Sequence, residues 1–86
     1  MVYQIKFRQS AEKEFGKLEK SLQQRIYQFL MQRVAPDPLL LREPLLGNKK
    51  GLWKYRLGDY RIICQIQNKE MVVLVVSVAH RKEVYK

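Results

Sequence analysis

The chain has 86 residues, 47% of them hydrophobic, and carries 17 Lys and Arg against 8 Asp and Glu, a formal net charge of +9. That length fits one domain over residues 1–86 with a single modest core and excludes a second, while the basic surplus favours polyanionic partners. A lone cysteine excludes an internal disulfide, no Cys/His cluster has metal-ligand spacing, and the longest apolar run, 71–76, is too short to cross a bilayer. The expectations are no metal, no cofactor, no membrane, and a cytoplasmic location, since the N-terminus lacks the apolar stretch of a signal peptide.

Residues 2–7 alternate, with Tyr3, Ile5 and Phe7 in phase, and read as a short strand. Ser10 is placed to cap a helix whose apolar stripe is Ala11, Phe15, Leu18 and Leu22, with Gly16 inside it costing about 1 kcal/mol relative to Ala. A break follows near Lys20. Ser21 with Gln24 three residues later has the form of a capping box, opening a second stripe of Leu22, Ile26, Phe29, Leu30 and Val34. So short a join predicts two antiparallel helices. Pro36 and Pro38 stop the second, and residues 39–46 read as a loop anchored by leucines, since their apolar positions keep no period. Residues 47–51, Gly-Asn-Lys-Lys-Gly, form a basic turn region.

A hairpin comes next: residues 53–57, the pair Gly58 and Asp59, then 60–64. Gly followed by Asp suits a two-residue turn in which Gly supplies the positive φ. Leu57 then pairs with Tyr60 and Arg56 with Arg61, so Lys54, Arg56 and Arg61 share one face while Trp53, Tyr55, Leu57, Tyr60 and Ile62 take the other. Sheets avoid like charges directly opposite each other, and an Arg pair flanked by a Lys points to a bound anion. A solvated sheet face is the plainer alternative. Asn68 and Lys69 turn the chain into 71–78, apolar on both faces and so expected as a central strand. If Ile66 pairs with Met71, Val76 falls opposite Arg61, and Val78 and His80 continue on the cationic face. Cys64 reads as a small buried filler. The order strand, helix, helix, strand, strand, strand predicts an α+β domain with two helices packed on a mainly antiparallel sheet.

Leu45, Leu46 and Gly47, the run 51–62 and the run 75–85, with Phe7, Ser10, Ala11, Glu14, Phe15 and Leu18 at the opening, together resemble the RelE/ParE superfamily of bacterial toxins. The likeness covers essentially the whole chain and implies a small RelE-like domain. In the RelE branch it implies a toxin of a type II toxin-antitoxin system that cleaves mRNA in the ribosomal A site. The attack is by a ribose 2′-hydroxyl without a metal, leaving a 2′,3′-cyclic phosphate. That family's two strand cations fall on Lys54 and Arg56, its central arginine on Arg61, its late arginine on Arg81 and its terminal tyrosine on Tyr85. The implied partners are mRNA on the ribosome, ribosomal RNA, a cognate antitoxin, and operator DNA bound by toxin and antitoxin together. An exposed apolar groove for the antitoxin would come from the first helix pair or from residues 39–46. The same scaffold also serves ParE-like toxins that act on DNA gyrase, and non-catalytic nucleic-acid binders.

Metal-free transesterification needs a base for the 2′-hydroxyl, charge relief for the phosphorane-like transition state and an acid for the departing 5′-oxygen. Arg61 is the candidate to grip the phosphate, with Arg56 supporting it. Lys54 is the candidate base, and Tyr85 stacks on a base or moves a proton. His80, next to Arg81, is a second candidate acid or base, with capping of the last strand as its plainer role. Lys49 and Lys50 are expected to anchor ribosomal RNA phosphates.

Overall fold

A computed structural model describes residues 2–45 and 51–80. Strand β1 (Gln4–Phe7) runs straight into helix α1 (Gln9–Gly16). Arg8 explains why: its N–H donates to the Val75 carbonyl at 2.8 Å, closing the strand, while its own carbonyl accepts the first helical bond from Glu12 at 2.8 Å. Arg8 is thus the N-cap, with no side-chain cap, and Ser10 lies inside the first turn rather than capping it. Strand pairing settled a boundary that local propensity put two residues later.

The capping box at the second helix is likewise not formed. Helix α2 (Lys20–Phe29) opens two residues earlier, with Glu19 rather than Ser21 as its N-cap. Gln23 takes over the join, its Nε2 donating to the Leu18 carbonyl at 2.8 Å and so tying the end of α1 to the first turn of α2. The chain then widens into a π-turn over Leu30–Val34, closed by Ala35 N–H donating to the Leu30 carbonyl at 2.7 Å. The wider turn keeps Leu30, Val34 and Ala35 all buried.

Of the leucine-rich stretch, Leu41 packs on the core while Leu39 and Leu40 are exposed. The loop is held chiefly by buried Pro38, whose carbonyl accepts a short hydrogen bond from the Tyr55 hydroxyl. It also contains a two-residue strand that the sequence did not indicate, β2 (Glu43–Pro44). As an outer strand it accommodates proline.

Strands β3 (Leu52–Leu57), β4 (Tyr60–Gln67) and β5 (Val72–His80) complete a five-stranded sheet of order β1-β5-β4-β3-β2. Only the β1–β5 pair is parallel. The sheet is therefore mainly antiparallel, β5 is internal as expected, and the fold class is α+β. Ala11, Ile26, Leu30 and Val34 pack from the helical side against Tyr55, Ile62, Cys64, Val73, Val75 and Val78 of the sheet. Burying a side chain of this size contributes roughly 1.5–3 kcal/mol.

The β3–β4 register is the one the hairpin reading predicts, with Leu57↔Tyr60 and Arg56↔Arg61, and Gly58 holds φ at 60°. The β4–β5 register is not. The connection takes four residues, 68–71, with Met71 at φ 53°, so Ile66 pairs with Val73. That displacement is even and preserves the faces. A β-bulge then changes them: Ile63 pairs with Ser77 but Cys64 with Val75, leaving Val76 as an extra residue. One extra residue reverses the facing of everything beyond it. Ala79, not Val76, therefore stands opposite Arg61, and Val78 and His80 turn toward the helices.

Candidate anion-binding face of the sheet

Helices cover one face of the sheet, and the other carries the cations. Arg56 and Arg61 are directly paired across the β3–β4 ladder, and Lys54 lies two residues from Arg56 on the same face. Arg61 is 6% exposed, on an internal strand flanked by β3 and β5, so rigid backbone supports it on both sides. Its neighbour across β5 is Ala79. Arg56 is exposed and Lys54 half-buried. A deep arginine flanked by more accessible cations is the arrangement that would suit a graded anion site, with a buried donor and outer ones to complete the grip.

Among the described residues one acid stands on this face. Glu43 pairs with Lys54 across β2–β3 and accepts a hydrogen bond from Arg56 Nε at 3.0 Å. No sequence signal marks it, because a two-residue strand inside an aperiodic stretch carries no pattern. Lys6 on β1 also points to this side, since it alternates with the core-packed Ile5 and Phe7, but it lies opposite Leu74, away from the arginine pair.

His80 is not part of the cluster. It pairs with Tyr60, with ring centroids 5.2 Å apart in an edge-to-face contact, and lines a 270 Å³ cleft with Glu14, Lys17 and Leu18 on the helical side. The bulge at Val76 is the reason. Lys49, Lys50, Arg81 and Tyr85 lie outside the described residues.

The opposite face packs into the core under the helices. Burial pushes the Cys64 thiol up to about 12. Burial first, then the neighbouring Cys64, raises the Tyr55 phenol well above its ordinary 10. Arg42 stacks over Trp53 with its guanidinium carbon 3.9 Å from the ring centroid, a cation–π contact at the edge of the sheet. Among the described residues no group of three or more His, Cys, Asp or Glu side chains gathers to hold a metal ion, and no helix is long and apolar enough to cross a membrane.

Fold and site together define a small basic α+β domain with a cross-strand guanidinium pair on the sheet face away from the helices. Comparison with known proteins gives that class a family. Residues 5–85 match the family model of the ParE toxin of the type II toxin-antitoxin system parDE. Toxin RelG of Mycobacterium tuberculosis is 26% identical over 86 residues, covering 100% of this chain and 99% of that protein. A RelE-like toxin protein of Escherichia coli is 32% identical over 83 residues, covering 95% and 86%. Among solved structures, the M. tuberculosis RelBE2 toxin-antitoxin complex superposes with a TM-score of 0.86 at 25% identity, covering 94% of this chain and 93% of that one. The isolated E. coli RelE toxin gives 0.78 at 30% identity, covering 98% and 92%. The chain belongs to the RelE/ParE superfamily of type II toxins.

Proposed function

We propose that this toxin is a ribosome-dependent endoribonuclease that cleaves mRNA in the A site by metal-independent attack of a ribose 2′-hydroxyl on the adjacent phosphate. The observation that carries the reading is the Arg56↔Arg61 cross-strand pair with Lys54 beside it, Arg61 being almost fully buried. A fold selected for stability alone does not place two guanidiniums opposite each other in a ladder. In this mechanism Arg61 and Arg56 hold the non-bridging oxygens as charge develops in the transition state, and Lys54 handles the 2′-hydroxyl proton. Arg81 and Tyr85 complete the proposal from the sequence, as a further phosphate contact and as a stacking or proton-transfer group. His80, across the sheet, has no assigned step.

The partners follow from the same reading: mRNA and ribosomal RNA as substrate and platform, with Lys49 and Lys50 as electrostatic anchors, in the cytoplasm where ribosomes work. A cognate antitoxin holds the toxin inactive, a partner consistent with the toxin-antitoxin complex formed by the related M. tuberculosis RelBE2, and the pair binds operator DNA. For the antitoxin groove the helix pair is the better site. Tyr27 and Met31 of α2 and its π-turn are exposed and, with Val2 and Ile5, line a 510 Å³ cleft beside the outer edge of β1.

The match to the ParE family model supports a second reading, a gyrase poison with no nuclease chemistry. Purified toxin added in parallel to translating ribosomes carrying a defined message and to a gyrase supercoiling reaction separates them. A-site cleavage is the expected result; supercoiling inhibition with an intact message selects the poison.

A further inference from the structure

Glu43 is an anomaly on this face. A carboxylate among cations weakens attraction for a polyanion. As a fold contact its ion pair has little value, because the Arg56 and Glu43 side chains are 57% and 35% exposed and solvent-exposed pairs stabilise weakly. The geometry nevertheless singles out one atom: Glu43 Oε2 receives Arg56 Nε–H, at 3.0 Å, and not a terminal nitrogen. A guanidinium carries five N–H donors in a rigid fork, so engaging Nε leaves the terminal nitrogens available for a second, bidentate partner while fixing the plane in which they lie. A lysine ammonium cannot divide its donors in this way. Glu43 reaches Arg56 diagonally, from its place opposite Lys54 on β2, so the short outer strand orients a side chain of the hairpin.

We infer that Glu43 is a positioning residue: by holding Arg56 through Nε, it aims the terminal nitrogens of Arg56 at the phosphodiester gripped by Arg61. This inference rests on the proposed nuclease reading and makes arginine, rather than any cation, the requirement at position 56. It reverses the sign that bulk electrostatics assigns to Glu43, because removing this acid lowers affinity for RNA.

The test is equilibrium binding of a short single-stranded RNA, blocked against cleavage by 2′-O-methyl groups, to the full-length chain, beside single-turnover cleavage on ribosomes. Glu43→Ala weakens binding about tenfold, the scale of one charge-assisted contact, and Glu43→Gln stays within about threefold because its amide oxygen still accepts from Nε. Arg56→Lys loses as much as Glu43→Ala, and adding Glu43→Ala to it costs nothing further. The pH profile of cleavage keeps its shape in Glu43→Gln. Unchanged or tighter binding by Glu43→Ala overturns the inference, as does a Glu43→Gln enzyme that binds normally but has lost the acidic limb of its profile, the mark of a proton acceptor. Wild-type chain that binds the RNA yet leaves messages uncut removes the nuclease reading while the Glu43 comparison still stands; wild-type chain that does not bind it overturns the inference, and the nuclease reading falls with it only where ribosome-bound messages also stay uncut.

Discussion

Arg61 is the residue on which the proposed chemistry turns: a guanidinium 6% exposed, facing another across the ladder. Arg61→Gln is predicted to lower single-turnover cleavage by roughly 10²–10³, the scale of a lost oxyanion donor. Cleavage reduced no more than RNA affinity contradicts that role. On the helical face the prediction concerns stability. Cys64 and Tyr55 ionise less readily in the folded chain than unfolded, so the stability they contribute is complete below pH 9 and 10 respectively. It is lost as pH rises from those values toward the folded pKa, about 12 for Cys64. Thermal melts across pH 8–11 are predicted to fall most steeply above 9, with Cys64→Ala flattening the first part of the decline. A wild-type curve level to pH 11 contradicts the burial of both groups.

At the scale of elements, two glycines give opposite predictions. Gly58 holds φ at 60° in the hairpin turn, where a side chain is strained although space is open up to Arg25 Nη2 at 3.8 Å. Gly16, at the end of α1, has no such φ, and a Cβ there meets nothing within 4 Å. Gly58→Ala is predicted to cost about 1 kcal/mol and Gly16→Ala to add about 0.5–1 kcal/mol, read as shifts in the urea midpoint. Equal shifts for the two, or a reversed order, contradict the backbone argument. The same hairpin shows what sequence alone conveys. Gly58 and Asp59 dictate a turn whose length sets a register, and that register places Arg56 against Arg61, so the centre of the site was legible. His80 was not, because the bulge at Val76 lies in a run of apolar residues that pairs equally well with or without it. Ser10 and Ser21 signalled helix starts that strand pairing at Arg8 and the Gln23 contact overrode. Glu43 was invisible because two residues have no period.

For the whole molecule, the surplus of +9 and the layered fold act together: helices close one side of the sheet around a core, and the side they leave collects the cations that chemistry on a phosphate requires. Net charge alone would give a polyanion binder; in the proposed reading the ladder geometry is what adds catalysis. The most direct test is therefore the chemical identity of the ends left on a ribosome-bound message, determined by mass spectrometry in the presence of a metal chelator. A 2′,3′-cyclic phosphate at a cut within the A-site codon, present with wild-type toxin and absent with Arg61→Gln, is the predicted result. An intact message, or cleavage as extensive with Arg61→Gln as with wild type, contradicts the account.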